Sequence, residues 1–412
     1  PVELLAPAKD YEHGCAAVDC GADALYVGAP SFGARAGVPV STTDIGRLCD
    51  YAHRFGVRVF VTMNTLLYEH ELRRAESLAR QVCRAGADAL IVQDAAFLRM
   101  DLPPVELHAS TQMFNMDPLR ARFWASAGFS RIVLERAATL REIGIVAESV
   151  PDTEIEAFVH GAVCVSYSGR CYMSRSLGPR SGNRGDCSQA CRLPYDLLDE
   201  RMRPLMKDKH LLSVCDLNLS DRLEAMIDSG VRSFKIEGRL KDMAYVRNIV
   251  GWYRRRIDDI LARRGDLERT SGGRSELGFD PDPVKSFSRG ATSYFIDGPR
   301  GGVASFDTPK AMGEPLGRVA ETGRGRFVLD REAVLSAGDG ICFVVPSGRL
   351  AGTRLDRAEG RCGWPARTEG IRPGTELFRN RDHRFVSMLE RARVRRTLPL
   401  SACVTVRPQR LE

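Results

Sequence analysis

Four cysteines stand in one stretch that has lost its hydrophobic periodicity. They are Cys164, Cys171, Cys187 and Cys191, within EAFVHGAVCVSYSGRCYMSRSLGPRSGNRGDCSQACRLPY, residues 156–195. Ser, Gly, Arg and Asn dominate, so the segment reads as a long loop. Loops that long inside compact domains are functional or disordered, and four cysteines argue for function. Their spacing, C-x6-C-x15-C-x3-C, is neither the paired CxxC of a zinc ribbon nor the C-x2-C-x2-C of a bacterial ferredoxin. Four thiolates suit tetrahedral zinc or a [4Fe–4S] cluster, and spacing does not choose between them. Unrelated packed or redox thiols are the third alternative.

Other polar groups gather at the ends of apolar runs. His160 lies four residues before Cys164, where it would serve as proton shuttle, ligand or structural hydrogen-bond partner, and Glu156 opens the same run. His108-Ala-Ser-Thr-Gln112, with Asn115, offers donors and acceptors for an uncharged or anionic small molecule, or simply caps a loop. In Lys235-Ile-Glu237-Gly-Arg239-Leu-Lys241, alternation puts Lys235 and Glu237 on one side of a strand, where they would pair, with the cations beyond facing an anion. Asn64 and Glu135-Arg136 end two further runs. His160, Glu156, Lys235 and Glu237 are therefore the catalytic candidates. Asn64, His108, Gln112, Glu135, Arg136 and Arg239 are the substrate-binding candidates. The Arg254-Arg255-Arg256 and Arg263-Arg264 clusters fall on a helix and are expected on a solvated face. No HExxH, GxSxG or Walker loop occurs, and Tyr68-Glu69-His70-Glu71 has the wrong order for a zinc peptidase.

The elements that must position these groups are announced by a repeated phrase. Gly21-Ala-Asp-Ala-Leu-Tyr-Val-Gly28 returns as Gly86-Ala-Asp-Ala-Leu-Ile-Val-Gln93, with looser versions at Gly56, Gly128 and Gly230. Each is a glycine stop after helical spacing, then a short apolar run: a helix C-cap feeding a buried parallel strand. Eight strands are predicted: Glu3–Ala6, Ala24–Gly28, Val57–Met63, Ala89–Gln93, Val105–His108, Arg131–Glu135, Glu156–His160 and Ser233–Glu237. Helices are predicted between them, with a long one from Ala244 to about Arg264 after the eighth. This is an α/β chain with the pattern of a (β/α)₈ TIM-like barrel over residues 1–265; a doubly wound open sheet is the rival. In a barrel all the polar strand ends open on one face, and the cysteine loop of residues 161–195, between strands seven and eight, caps that mouth. A linker spans residues 266–283. Short alternating runs at Ser293–Ile296, Gly317–Ala320, Arg326–Leu329 and Ile341–Val345 then predict a small β-barrel-like domain over 284–400, with an Arg-rich, helical tail at Arg379–Arg396.

Composition bounds the setting. Twelve cysteines in 412 residues are too sparse for a disulfide scaffold and favour a reduced compartment. No apolar run approaches the roughly 20 residues that cross a bilayer, and the N-terminal residues lack a signal-peptide pattern, so a cytoplasmic chain without a membrane partner is expected. The formal charge is +7, and 53 of the 60 basic residues are Arg. That fits codon bias or phosphate recognition, for which the planar guanidinium suits bidentate contact.

Specific stretches resemble peptidase family U thirty-two, called collagenase-like. They are the opening Glu3-Leu-Leu-Ala-Pro-Ala, Phe158-Val-His160-Gly-Ala-Val-Cys164 through Cys171, Asn183-Arg-Gly-Asp-Cys187-Ser-Gln-Ala-Cys191-Arg, and Ser233-Phe-Lys-Ile-Glu-Gly-Arg239. Members are similar to iron–sulfur enzymes of oxygen-independent hydroxylation, acting on tRNA wobble uridine, large-subunit ribosomal RNA cytidine or a ubiquinone precursor. Lys209-His-Leu-Leu-Ser213, Ser305-Phe-Asp-Thr-Pro-Lys310 and Arg379-Asn-Arg-Asp-His383 make the 5-hydroxycytidine-forming subgroup the nearest likeness. The resemblance implies a [4Fe–4S] cluster on Cys164, Cys171, Cys187 and Cys191, with Cys215 as the substitute for Cys191. It also implies prephenate as a small anionic co-substrate, and RNA (23S ribosomal RNA or its precursor, alternatively tRNA) as partner. Subgroup members carry a further C-terminal domain, whereas this chain stops soon after position 400. A peptidase and a zinc-stapled RNA-binding module without catalysis are the competing functions.

Overall fold

The computed structural model describes residues 1–34, 37, 39–299, 301–346, 348–404, 406–407 and 410–411. Seven parallel strands follow one another: β1 (Glu3–Pro7), β2 (Ala24–Gly28), β3 (Arg58–Met63), β4 (Ala89–Val92), β5 (Glu106–Ala109), β6 (Arg131–Val133) and β7 (Glu154–Gly161). After the cysteine loop come an exposed antiparallel hairpin, β8 (Tyr195–Leu198) and β9 (Pro204–Lys209), and a short β10 (Asp216–Asn218). β11 (Val231–Ile236) then pairs in parallel with both β7 and β1 and closes an eight-stranded barrel. The open-sheet rival is thereby excluded.

The repeated phrase works as its chemistry requires. Gly21, Gly86, Gly128 and Gly230 sit just past the C-caps of α1 (Tyr11–Asp19), α3 (Leu72–Arg84), α4 (Pro118–Ser126) and α7 (Leu223–Asp228). All four have φ between 98° and 105°, a region costly for a residue with a Cβ. The next strands are buried because helices cover one face and the lumen the other. Helix starts are fixed by side-chain caps: Asp10, Ser41 before α2 (Thr42–Ala52), Asp117, the Thr139/Glu142 capping box of α5 (Leu140–Ser149), and Asp242 before α8 (Met243–Arg263).

The lumen follows the period of two. Leu5, Ala24, Tyr26, Phe60, Ala89 and Ile91 fill its middle. Below them lies a plug of buried charge. Arg131, 1% exposed, donates from Nη1 to Glu3 at 2.6 Å, Glu156 at 3.0 Å and Ser233 at 3.2 Å. Arg58 reaches Glu3 at 2.7 Å. Arg131 and Arg58 outweigh the burial that would otherwise raise Glu3, and hold its carboxyl at about 2.

The segment after α8 does not divide at residue 284. β12 (Arg274–Glu276) pairs antiparallel with residues 395–397, β13 (Ala291–Thr292) pairs with β10, and Tyr294 and Ile296 belong to the first core. The strand expected at Ser293–Ile296 is a turn: Tyr294 takes φ 51° and Ile296 O accepts from Leu140 N. The second unit is a closed six-stranded antiparallel barrel, with strands β14 (Glu314–Gly323), β15 (Arg326–Leu329), β16 (Gly340–Val344), β17 (Leu350–Glu359), β18 (Cys362–Pro365) and β19 (Glu376–Arg381). It has its own core, around Phe327, Leu329, Ile341, Phe343, Leu355 and Leu377. The tail helix is shorter than predicted, α9 (His383–Arg391), and returns to the first unit: Leu389 and Phe385 join that core, and Lys285 pairs with Asp382 at 2.8 Å.

Candidate active site

The cysteine loop leaves β7 at Gly161 and folds back over the barrel mouth. Glu135, at the end of β6, accepts from the Ser168 amide at 2.9 Å and hydroxyl at 3.3 Å, and Arg136 donates to the same hydroxyl at 3.1 Å. Arg184 forks onto Glu71, with both contacts at 2.7 Å. Arg192 donates to Ser213 Oγ at 2.9 Å and to the carbonyls of Val214 and Val163, each at 2.8 Å. Gly169 explains one close crossing: it has φ +71°, and a Cβ there would lie 1.9 Å from the Gln112 carbonyl oxygen. The loop carries the short α6 (Met173–Leu177) and isolated 3₁₀ turns.

Cys164, Cys171, Cys187 and Cys191 all line one cavity of about 290 Å³ beneath this loop. Burial raises the Cys191 thiol, Arg192 opposes the rise, and the neighbouring Cys164, Cys187 and Cys171 add to it. The Gln189 amide donates to Cys187 Sγ at 3.4 Å. Cys215 is buried elsewhere, beside Asp216 and against Gly290, and does not line the cavity. Among the described residues no group of three or more His, Cys, Asp or Glu side chains is drawn together as a metal-ion site. Four thiols are a donor set that fits an iron–sulfur cluster, and an amide hydrogen bond to sulfur is of the kind that tunes one.

The floor and walls of the cavity come from strand ends: Tyr26, Thr62, Asn64, Phe158, Lys235 and Arg239 among them. Arg239 Nη1 donates to Thr62 Oγ1 at 2.9 Å, and Asn64 bridges Ala34 N and Ser110 Oγ. Gln112 and Glu237 also line it, while Glu135 stays behind as an anchor for the loop. Arg136 stacks 3.8 Å from the Phe158 ring centroid and reaches Glu237 at 3.2 Å. The expected Lys235–Glu237 pair is not formed. Lys235 Nζ instead donates to Glu156 at 2.7 Å, between the rings of Tyr26 and Phe158. Burial would raise Glu156, yet Lys235 and Arg131 hold it ionised, below the usual carboxylate range. Glu156 itself is fully buried one layer below the cavity, so it supports Lys235 and does not face a substrate.

Two histidines fall outside the cavity. His108 is buried in the lower lumen, on Glu106 at 3.2 Å and edge-on to Phe60. Burial, then Arg131, lowers it and keeps it neutral. His160 packs between β7 and α8, with Nδ1 3.3 Å from Tyr253 Oη. Burial brings it down to about 3. A bulge explains its direction. The register of β7 against β11 slips between Phe158, opposite Lys235, and His160, opposite Ile236. The extra residue turns His160 outward with Ile236. Asn115 is a staple, its amide donating to three backbone carbonyls. The charged residues that sequence reasoning missed are Glu3, Arg58 and Arg131, of which Arg131 bonds Glu156; a charged residue at the first or second position of three predicted strands was the available signal.

The model of peptidase family U32 matches residues 9–303, well over half of the chain. The chain belongs to peptidase family U32. It is 44% identical over 398 residues to the 23S rRNA 5-hydroxycytidine C2501 synthase of Escherichia coli (strain K12), covering 94% of this chain and 60% of that protein. It is 35% identical to the tRNA hydroxylation protein P1 of Bacillus subtilis (strain 168), over 63% of this chain and 64% of that one. A collagenase of Porphyromonas gingivalis (strain ATCC BAA-308 / W83) is more distant, 29% identical over 72% of this chain and 74% of its own length. The chain thus spans less than two thirds of the first two relatives. Among the described residues no helix is long and apolar enough to cross a membrane.

Proposed function

We propose that this family U32 chain is an oxygen-independent RNA hydroxylase that forms 5-hydroxycytidine in large-subunit ribosomal RNA, acting in the cytoplasm. The observation that carries this reading is the joint one: four cysteines line a single cavity at the mouth of a barrel, in a chain 44% identical to a 23S rRNA 5-hydroxycytidine synthase. Cys164, Cys171, Cys187 and Cys191 would hold a [4Fe–4S] cluster, which when bound supplies one-electron chemistry or an iron site for an oxygen-bearing ligand.

The chain's own residues do the rest. Lys235, Arg239 and Arg136 present three cations to the cavity, suited to a small dianion such as prephenate. Glu156 keeps Lys235 in place from below, and the aromatic walls of Tyr26 and Phe158 exclude water from it. Thr62, Asn64 and Gln112 add neutral hydrogen-bonding groups. Glu237, tied to Arg136, is the carboxylate at the cavity wall and the remaining candidate for moving a proton.

The test is reconstitution. Chain purified without oxygen, given prephenate and unmodified large-subunit ribosomal RNA, is expected to yield 5-hydroxycytidine by nucleoside mass spectrometry. The preparation should be brown and contain iron and sulfide. A colourless zinc protein, or collagen-peptide cleavage that survives Cys→Ala changes, would replace this reading with one of the others.

A further inference from the structure

A second cavity lies on the outer side of the cysteine loop. It is about 480 Å³, and its wall shares Cys164, Cys187, Cys191 and Glu237 with the inner cavity of about 290 Å³. Three of the four cysteines therefore border both chambers. The larger one is within the range usual for a bound small molecule, and the inner one is at its lower limit.

The outer chamber is cationic. Its described lining has four cations, Arg180, Arg192, Lys241 and Arg289, against two carboxylates, Asp186 and Glu237. Both carboxylates are engaged: Asp186 by Arg180 at 2.8 Å and Glu237 by Arg136 at 3.2 Å. Arg289 is held by Asp216 at 2.7 Å. Arg192 is bonded to a hydroxyl and two carbonyls, so its charge is uncompensated by any bonded carboxylate. Lys241 has no ion pair among the described residues; its ammonium sits 3.3 Å from the Phe287 ring centroid, and Asp216, Asp242 and Glu237 act on it only from beyond bonding distance. The Arg clusters of α8, by contrast, are neutralised. On α8, Arg254 is buried on Asp23, Arg255 meets Asp280, Arg256 meets Asp221, and Arg264 meets Asp228 and Asp266.

We propose that the outer cleft binds a phosphodiester of the RNA strand on Lys241 and Arg192, so that RNA and the small anion reach the cysteine set from two adjoining chambers. Leu240, 59% exposed, gives the rim an apolar surface beside the phosphate position. A phosphate here would supply the anion that Lys241 lacks, while the inner cations stay with the co-substrate. The assignment rests on the RNA-hydroxylase reading and specifies which face of the site takes the nucleic acid.

The test uses the full chain, prepared without oxygen, and unmodified large-subunit ribosomal RNA transcribed in vitro. Filter binding across a salt series is compared for wild type, Lys241→Met and Lys241→Arg, with prephenate binding measured in parallel. Methionine keeps the stem over Phe287 and removes the charge. The proposal expects Lys241→Met to bind RNA more weakly and to lower the slope of log affinity against log salt by about 1. Lys241→Arg should restore both, and prephenate affinity should not change. If wild type shows a steep slope and Lys241→Met matches it, the cleft assignment is wrong while the RNA reading stands. If Lys241→Met loses prephenate and keeps RNA, the cleft takes the small anion and the proposal falls. RNA binding by wild type that ignores salt would sink both.

Discussion

At the residue scale the site is a charge problem. Lys235 is buried with Glu156 as its bonded partner, and Glu156 is shared with Arg131. Replacing Lys235 by Met removes a charge-assisted contact, so prephenate affinity should fall roughly 10–100-fold, the factor set by about 1.5–3 kcal/mol. It also leaves Glu156 with less compensation, so stability should fall too. In the Lys235→Met/Glu156→Gln double variant, thermal stability should recover and prephenate affinity should not. Recovery of both would mean that Lys235 acts only through the fold. Glu3 gives the pH dependence. Its folded carboxyl lies at about 2 against an ordinary value of 4.5, so between those values the folded chain binds fewer protons than the unfolded one. Stability from Glu3, on the order of 3 kcal/mol, is therefore present above pH 4.5 and lost as pH falls toward 2. Denaturant titrations of wild type and Glu3→Gln should converge over that window; a constant gap would remove Glu3 from the account.

At the element scale, five of the eight barrel strands were legible because they repeat one local grammar: Gly21, Gly56, Gly86, Gly128 or Gly230 with positive φ, then a short buried run. The hairpin β8–β9 was not, since nearly all its residues are solvent-facing and no buried stripe marks its period. The turn at Ser293–Ile296 read as a strand because Tyr294 and Ile296 are apolar for packing on the first core, not for pairing. Of the site, the cysteine loop and the cations at the strand ends could be read from composition and spacing. The direction of His160 could not, because a β-bulge leaves no mark in residue types. Loop docking makes its own prediction. Gly169→Ala meets the Gln112 carbonyl in a left-handed conformation, which costs about 1–3 kcal/mol in strain before the clash is counted. The loop should lift from the mouth, seen as faster limited proteolysis within residues 161–195 while the barrel core keeps its hydrogen-exchange protection. Unchanged proteolysis would mean that the loop is not held at that crossing.

At the scale of the whole molecule, a closed parallel barrel carries the candidate site, and a second closed barrel is tied back to it through α9 and the Lys285–Asp382 pair. Two chambers meet at the cysteine loop, one lined by Arg136, Lys235 and Arg239 and the other by Arg180, Arg192, Lys241 and Arg289. On the proposed function, the sulfurs of Cys164, Cys171, Cys187 and Cys191 together support hydroxylation of ribosomal RNA. The most direct measurement is nucleoside mass spectrometry of ribosomal RNA from a strain lacking the gene, complemented with wild type, Cys191→Ser or Cys215→Ser. 5-Hydroxycytidine is expected with wild type and Cys215→Ser, and none with Cys191→Ser at equal protein level. Full hydroxylation by Cys191→Ser, or none by wild type, would contradict it.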